Sequence, residues 1–376
     1  RSNEAQRLNL WIGCLAEVIG GATMRGFNVA IVGATGAVGQ EFIKILEQRG
    51  FPVDSIRLLA SERSSGTKLS FNHRRIEVEE ATPEIFPAVD IVLFSAGAGV
   101  SRRLSPLAAK AGAVVVDNSA AFRMESSVPL VVPEVNPEDI EWHKGIIANP
   151  NCSTIQLVVA LYPLHKVNPI KRIVVSTYQA VSGSGTAALR ELTIQAKLAL
   201  EGRRICPHVY SHQIAFNVLP EIDVFLDNGY TKEEQKMMEE TRKIMHAEDV
   251  AISATCVRVP VWFGHSEAVN VEFASPITPE EARKILAQAP GVKVLDDPSV
   301  SLYPQPWAAT GSDHVFVGRI RKDISHPNGL VMWIVADNLR KGAALNAIQI
   351  VEEGVRMGWV RPKELGGQKW TSWGVY

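Results

Sequence analysis

The stretch Phe27-Asn28-Val29-Ala30-Ile31-Val32-Gly33-Ala34-Thr35-Gly36-Ala37-Val38-Gly39 decides the fold of the first part of the chain. Its apolar first half predicts a buried parallel strand, and the residues after it, Gln40 to Gln48, predict a helix. A strand, a glycine-rich loop and a helix in this order form a dinucleotide-binding arrangement, in which the loop approaches a pyrophosphate and the helix N-terminus donates N–H groups to it. The spacing GxxGxxG is a variant of the usual fingerprint. The predicted cofactor contacts in the loop are Gly33, Ala34, Thr35, Gly36, Ala37 and Val38.

Further strand and helix units follow this loop. Apolar runs at Ile56 to Ala60, Ile91 to Phe94 and Val114 to Asp117 each end in small or polar residues, and ligands bind at the carboxyl ends of such strands. Ser95, Ala96 and Gly97 are therefore predicted to line the cofactor site. After the second strand, Ser61, Arg63 and Ser64 favour a 2′-phosphate and hence NADP over NAD. The alternative is that these residues form a solvated turn with no role in cofactor binding, because the acidic Glu62 lies among them.

Composition narrows the class of protein. A chain of 376 residues suits two domains. With 39 Lys and Arg against 40 Asp and Glu, the net charge of -1 offers no electrostatic reason to expect nucleic acid or an anionic membrane as partner. The four cysteines, Cys14, Cys152, Cys206 and Cys256, show no CxxC pairing. We therefore expect no metal site, no disulfide framework and a reducing, cytoplasmic location.

Domain boundaries are predicted from changes of pattern. Residues 25–151 form the nucleotide-binding domain. From Lys171 longer strands alternate with helices near residues 185–200 and 232–245, which indicates an α+β domain with a mixed sheet over residues 152–337. Residues 338–363 contain a helix that returns to the first domain, and 364–376 form a tail. Residues 1–24 are interpreted as a leader outside the fold, non-native or organelle-directing, with Met24 as a candidate start.

Cys152 is the candidate nucleophile. Asn151 and Ser153 are good helix-capping residues, and the apolar run from Thr154 to Leu161 predicts a helix that starts beside the cysteine. Unpaired N–H groups at a helix N-terminus favour the thiolate, which is the reactive form. The alternative is a small buried apolar cysteine.

Arg258 and His265 lie close together in the strand pattern Thr255 to Ser266. A buried guanidinium needs an anionic partner, and a substrate carboxylate would provide one. His265 follows a glycine at a turn, where its ring can face a cleft and move protons, although a structural histidine is the alternative.

Seven motifs together resemble the aspartate-semialdehyde dehydrogenase family over Phe27 to Lys363. They are Gly33 to Gly39, Asp117-Asn118-Ser119-Ala120-Ala121-Phe122-Arg123, Pro150-Asn151-Cys152-Ser153-Thr154, Tyr178-Gln179-Ala180-Val181-Ser182-Gly183-Ser184-Gly185, Glu240-Thr241-Arg242-Lys243, Arg258 through Gly264-His265-Ser266, and Asp337-Asn338-Leu339-Arg340-Lys341-Gly342-Ala343-Ala344. The resemblance implies an α/β protein with a Rossmann-type doubly wound NADP-binding domain and an α+β catalytic and dimerisation domain. The implied reaction is the NADP-dependent reductive dephosphorylation of L-aspartyl-4-phosphate through a cysteine thioester, in the biosynthesis of lysine, threonine, methionine and isoleucine.

The resemblance also implies residue roles. Cys152 matches the nucleophile, His265 the acid/base and Gln179 the residue that orients the acyl intermediate. Arg258 matches the arginine that binds the substrate carboxylate, and Glu240 the acid that meets the substrate amino group.

The remaining implied contacts concern phosphate and cofactor. Arg123 and Lys243 match basic residues that receive the phosphate, with Asn118 and Asn151 as neutral donors nearby. For Lys243 the alternative is a surface charge on a charged helix. Ser182, Gly183 and Asn338 resemble segments on the nicotinamide side.

Two rival functions stay open at this point. One is a reductase of N-acetylated glutamyl phosphate, which shares the fold, the thioester and NADP, although Glu240 favours a substrate with a free amino group. The other is a catalytically dead paralogue that binds NADP. The resemblance also implies a homodimer with small-molecule substrates.

Overall fold

The computed structural model describes residues 25–363, so the predicted leader and tail lie outside the described residues. The chain forms two compact units. Within the described range, the first unit contains residues 25–129, 138–149 and 347–363, and the second contains residues 130–137 and 150–346.

The first unit is built on a seven-stranded sheet in the order β3-β4-β2-β1-β5-β6-β7. All neighbouring strands are parallel except β3 and β4, which form an antiparallel edge pair. The strands are β1 (Phe27–Val32), β2 (Val53–Ala60), β3 (Lys68–Phe71), β4 (Arg74–Glu80), β5 (Ile91–Phe94), β6 (Val114–Asp117) and β7 (Ile146–Ala148). The helices of this unit are α1 (Ala37–Arg49), α2 (Ala98–Lys110) and most of α8 (Leu345–Arg356).

The parallel strands are apolar because helices cover them. All four residues of β5 are buried, and β1 is buried at five of six positions. Helix α8 contributes Ile348 and Val351 to an apolar contact region with Val29 and Leu46, and its Glu352 pairs with Arg49 of α1 at 2.6 Å. Helix α8 therefore belongs to the packing of the first unit from residue 347 onward.

The second unit contains a six-stranded mixed sheet in the order β11-β12-β13-β10-β8-β9. Its strands are β8 (Ile170–Gln179), β9 (Ala251–Arg258), β10 (His265–Phe273), β11 (Val292–Val294), β12 (Val315–Lys322) and β13 (Gly329–Ala336). Its helices are α3 (Cys152–Val167), α4 (Thr186–Leu200), α5 (Lys232–Met245), α6 (Pro279–Gln288) and the short α7 (Pro306–Ala309), with a π-helix at Arg340–Ala344. The predicted fold class, a parallel nucleotide-binding sheet and a mixed-sheet domain, is confirmed.

Helix α3 is the central helix of the second unit. Every residue from Ser153 to Leu161 is buried, and the helix contacts strands of the mixed sheet as well as α5 and α6. A helix that is apolar on all sides is stable only when neighbours cover all of them. Within residues 25–363, no helix combines the length and the apolar character needed to cross a membrane.

The observed unit boundaries differ from the predicted ones at residues 130–137. Lys341 is fully buried, and its ammonium pairs with Glu134 Oε2 at 2.7 Å. Asn346 donates to the backbone carbonyl of Val131 at 3.0 Å. Because a buried ammonium is stable only beside an anion, these contacts join residues 130–137 to the second unit. The chain returns to the first unit at residue 347, whereas the sequence predicted this return at residue 338.

Candidate active site

Cys152 is the first residue of α3, and Asn151 is its N-cap. The Asn151 Oδ1 atom accepts hydrogen bonds from the backbone N–H groups of Ser153 at 3.0 Å and Thr154 at 3.3 Å. Asn151 is buried, while Cys152 forms no disulfide and is partly exposed. The thiol therefore lies at the positive end of the helix dipole, an environment that favours an anionic sulfur.

Two carboxylates of α5 hold this N-cap. The backbone N–H of Asn151 donates to Glu240 Oε2 at 2.7 Å, and its side-chain Nδ2 donates to Glu233 Oε1 at 2.8 Å. Glu240 is only 1% exposed. Lys243 lies one turn further along α5 and is partly buried. The predicted amino-group ligand Glu240 is thus placed directly beside the nucleophile segment.

Gln179, Arg258 and His265 meet at one edge of the mixed sheet. Gln179 ends β8, Arg258 ends the parallel strand β9 in register with it, and His265 begins the antiparallel strand β10 on the other side of β8. All three are buried. Arg258 donates from Nη1 to the carbonyl of Ala180 at 2.8 Å, and its Nε has no hydrogen-bond partner among the described residues. The guanidinium therefore keeps a buried donor for an anion.

One hydrogen bond selects the tautomer of His265. The backbone N–H of Ala180 donates to Nδ1 at 3.0 Å, so Nδ1 is the acceptor and Nε2 carries the proton of a neutral ring. Nε2 is buried and unpartnered within residues 25–363. Burial, followed by the charge of Arg258, lowers the pKa of His265 well below 6.5. The ring is a neutral hydrogen-bond donor.

Gly183 packs closely against the side chains of Arg258 and His265. A Cβ at this position would lie 3.0 Å from Arg258 Nη1 and 3.2 Å from His265 Nε2. Its neighbour Ser182 donates to Asn338 Oδ1 at 3.0 Å, and the N–H of Gly264 donates to the same atom at 2.9 Å. The predicted nicotinamide-side residues of the second unit therefore adjoin the His265 and Arg258 pair.

Asn338 and Gly342 complete the arrangement around the nucleophile in the second unit. The Nδ2 atom of Asn338 is buried and forms no hydrogen bond with the described residues, which leaves a donor for a ligand such as a cofactor amide. At Gly342 a Cβ would lie 3.1 Å from the Cβ of Cys152, so the π-helix packs directly against the nucleophile. A π-helical turn of this kind is frequent at functional sites.

Arg123 and Asn118 lie together in the first unit. Arg123 donates from Nε to the carbonyl of Asn149 at 2.9 Å and from Nη2 to the carbonyl of Asn118 at 3.0 Å. The side chains of Asn149 and Asn118 are joined by a further hydrogen bond of 2.7 Å. These contacts hold the guanidinium at the carboxyl ends of β6 and β7, where ligands bind in parallel sheets.

The glycine loop fits a dinucleotide. Gly33 has φ +90°, and a Cβ there would lie 2.3 Å from the carbonyl oxygen of Ser95, so only glycine is accommodated. Gly36 is the N-cap of α1 and provides no side-chain cap, which leaves the first-turn N–H groups of the helix available to an anion. Thr35, Ala37 and Val38 are partly exposed. Ala34 is buried in the turn.

The other predicted cofactor residues of the first unit occupy strand ends. Ser61 caps a short 3-10 helix at Glu62–Ser64 after β2, and Arg63 is exposed. Ser95 and Ala96, after β5, are partly exposed, and Gly97 caps α2 with φ +80°. Both segments lie at the same edge of the sheet as the glycine loop, since the strands are parallel.

Sequence reasoning missed Glu233. Its Oε1 atom accepts from both Asn151 and, at 3.3 Å, Gln179 Nε2. The available signal was its spacing of seven residues from Glu240, which places both carboxylates on one face of α5.

Comparison with known proteins agrees with this two-unit arrangement. Residues 28–143 match a family described as "Semialdehyde dehydrogenase, NAD binding domain", and residues 161–341 match "Semialdehyde dehydrogenase, dimerisation domain". The chain is 57% identical over 339 residues to the aspartate-semialdehyde dehydrogenase of Aquifex aeolicus, covering 89% of this chain and all of that protein.

Solved structures are similar as well. The chain superimposes with a TM-score of 0.86 on the aspartate semialdehyde dehydrogenase II of Vibrio cholerae complexed with ASA, at 50% identity, covering 88% of this chain and 98% of that one. It superimposes with a TM-score of 0.70 on the Candida albicans enzyme with NADP, at 28% identity, covering 89% and 99%. The chain belongs to the aspartate-semialdehyde dehydrogenase family of oxidoreductases.

Proposed function

We propose that this enzyme catalyses the NADP-dependent reductive dephosphorylation of L-aspartyl-4-phosphate to L-aspartate 4-semialdehyde through a thioester on Cys152, in the biosynthesis of lysine, threonine, methionine and isoleucine. One observation supports this most directly. Cys152 lies at the capped N-terminus of α3, in the same unit as the edge of the mixed sheet where Gln179, Arg258 and His265 meet. A nucleophile, a neutral donor and a buried cation are the groups that acyl transfer to a thiol requires.

Substrate binding follows from the charges. Arg258 would bind the substrate carboxylate with its unused donors, and Glu240 would bind the amino group. Arg123 and Lys243 would bind the phosphate, assisted by Asn118 and Asn151. An α-amino acid carries both charges, so a cation and an anion in its site are complementary to it.

The chemistry of the thioester route begins with the Cys152 thiolate. Its sulfur forms a bond to the acyl carbon, the bond from that carbon to the phosphate oxygen breaks, and inorganic phosphate leaves. The Nε2–H of His265 donates to the substrate oxygen as negative charge develops there, and Gln179 orients the acyl group. Release of the aldehyde breaks the carbon–sulfur bond and restores the thiolate.

The cofactor proposal rests on the glycine loop and on buried donors. Gly33 to Val38 would hold the pyrophosphate, Ser61, Arg63 and Ser64 the 2′-phosphate, and Ser95 to Gly97 the adjoining part of the dinucleotide. Ser182, Gly183 and Asn338 would hold the nicotinamide. When bound, NADPH supplies the hydride that reduces the acyl group. Arg63→Ala should weaken NADP binding about tenfold and leave NAD binding unchanged, since charged hydrogen bonds contribute ~1.5–3 kcal/mol.

The match to a dimerisation domain supports a homodimer as the proposed assembly. The rings of Tyr178 and Trp333 contact each other on the mixed sheet in a tilted geometry, with centroids 5.3 Å apart, and Tyr178 is 38% exposed. An aromatic pair that is partly exposed suits a protein interface. None of the three cysteines in the described residues forms a disulfide, which supports the proposed cytoplasmic location.

The deciding experiment measures phosphate-dependent reduction of NADP+ by L-aspartate 4-semialdehyde. Activity with this substrate and none with N-acetyl-glutamate semialdehyde is the expected result. Activity with the acetylated substrate alone would contradict the role of Glu240, and activity with neither would contradict the function.

Two variants test the residue roles. Cys152→Ala should reduce turnover by at least about 10³-fold while NADP binding persists, whereas Cys206→Ala, at an exposed free cysteine, should leave turnover unchanged. Arg258→Leu should raise the Michaelis constant for the semialdehyde about 10- to 100-fold, since it removes charged hydrogen bonds. An active Cys152→Ala protein would exclude the thioester.

A further inference from the structure

Glu233 connects two amides of the site. Its Oε1 atom accepts from Asn151 Nδ2 at 2.8 Å and from Gln179 Nε2 at 3.3 Å, and its Oε2 atom accepts from the ammonium of Lys236 at 3.3 Å. Lys236 also pairs with Asp223 at 2.7 Å. Glu233 is 6% exposed, so this carboxylate is held within the protein and its charge is balanced by a lysine.

A carboxylate determines which end of each amide faces it. Ionised carboxylates only accept hydrogen bonds, so the atom of Gln179 beside Glu233 is the NH2 group. The same nitrogen also donates to Thr177 Oγ1 at 3.3 Å. Both N–H bonds of the amide are therefore used, and the Oε1 atom of Gln179 forms no hydrogen bond within residues 25–363.

The orientation of Asn151 is constrained from both ends. Its Oδ1 faces two backbone N–H groups at the start of α3, and its Nδ2 faces Glu233. Rotation of this amide would place an oxygen against a carboxylate and a nitrogen against N–H donors. The cap that precedes Cys152 therefore depends on Glu233 for one of its contacts.

We propose that Glu233 is a positioning residue that couples the helix cap of Cys152 to Gln179 and makes Gln179 present its carbonyl oxygen to the reacting group. This inference rests on the proposed function and adds which atom of Gln179 faces the reacting group. Gln179 then acts as an acceptor, so its partner is a donor, such as a substrate N–H or the hydroxyl of a tetrahedral intermediate.

Glu234 provides a matched control. It is the next residue of the same helix, is 7% exposed, and also accepts two buried hydrogen bonds, from the N–H of Thr231 at 2.7 Å and of Cys256 at 2.9 Å. These bonds belong to the capping box of α5 and to its contact with β9, not to the reacting groups. Comparable losses of fold stability are expected from Glu233→Gln and Glu234→Gln.

The experiment compares both variants with the wild-type protein in steady-state kinetics. A glutamine at 233 has one acceptor atom for three donors, so the two amides lose their fixed orientation. We expect kcat of Glu233→Gln to fall at least about tenfold with the Michaelis constant for NADP+ within about threefold of wild type, while Glu234→Gln keeps kcat within about twofold. Equal kcat values for the two variants would overturn the proposal.

A second measurement does not depend on the reaction. The rate of Cys152 alkylation by iodoacetamide, measured against pH in a background with Cys14→Ala and Cys206→Ala, reports the thiolate and its surroundings. We expect Glu233→Gln to shift this profile and Glu234→Gln to reproduce the wild-type profile. Identical profiles for all three proteins would overturn the coupling to the helix cap. Inactivity of the wild-type protein would refute the proposed function, yet the alkylation profiles would still decide the role of Glu233.

Discussion

Glu267 is the buried carboxyl group whose replacement should stabilise the protein. It lies on β10 between Thr177 of β8 and Ile334 of β13 and has no solvent exposure. Neither of its oxygens forms a hydrogen bond of good geometry within the described residues. Burial raises the pKa of Glu267 well above 4.5, and the nearby amide of Gln156 only partly opposes this shift. Burial therefore favours the neutral form of this carboxyl.

The sign of the pH dependence follows from proton binding. Between pH 4.5 and the raised pKa of Glu267, the folded protein binds one proton more than the unfolded chain, so its stability falls as the pH rises. Each pH unit in this window lowers the free energy of unfolding by about 1.4 kcal/mol. Glu267→Gln has nearly the same shape and cannot ionise, so it avoids this loss.

Urea unfolding at pH 5, 6, 7 and 8 measures this difference. We expect the stability of Glu267→Gln relative to wild type to increase with pH up to the raised pKa of Glu267 and to level off above it. The control is Glu280→Gln at the surface, where the carboxylate pairs with Arg283 at 3.2 Å, and its difference from wild type should change much less with pH. A constant difference for Glu267→Gln, or a loss of stability at pH 8, would refute the reasoning.

Three further predictions concern glycines. At Gly39 a Cβ would lie 2.1 Å from the carbonyl oxygen of Gly33, so Gly39→Ala should displace the loop, cost about 1–3 kcal/mol of stability and weaken NADP binding measured by titration. Gly99 lies in α2, and a Cβ there would have no atom within 4 Å. Gly99→Ala should therefore raise the melting temperature, since alanine is more favourable than glycine in a helix by about 1 kcal/mol. At Gly342 the corresponding Cβ would lie 3.1 Å from that of Cys152, so Gly342→Ala should lower kcat about tenfold with normal unfolding; unchanged kcat would show that the nucleophile tolerates displacement.

The local features of the chain were predictable because they depend on neighbouring residues. The predicted strand at 27–32 is observed at the same residues, and the predicted helix after the glycine loop extends from Ala37 to Arg49. The helix that begins at Cys152 behind an Asn151 cap was likewise predicted. Periodicity, glycine and capping chemistry act within a few residues, so a sequence alone expresses them.

The β3 and β4 hairpin was missed. Its strands, Lys68–Phe71 and Arg74–Glu80, are charged and largely exposed, so they lack the apolar pattern that marks a buried strand. Pairing of β4 with β2 at the edge of the sheet stabilises them instead. Edge strands of this kind depend on tertiary contacts more than on their own residues.

By itself, the sequence determined the fold class, the two-domain organisation, the family and the position of Cys152 at a helix start. Only the tertiary structure decided which partners the buried ionisable groups have: Glu233 contacts the amides of Asn151 and Gln179, and Lys341 pairs with Glu134. Glu267 has no hydrogen-bond partner of good geometry within residues 25–363. The physical reason is distance along the chain. A charge separated from its partner by tens or hundreds of residues leaves no periodic pattern, and whether it is paired, neutralised or available to a substrate depends on the packing that removes it from water.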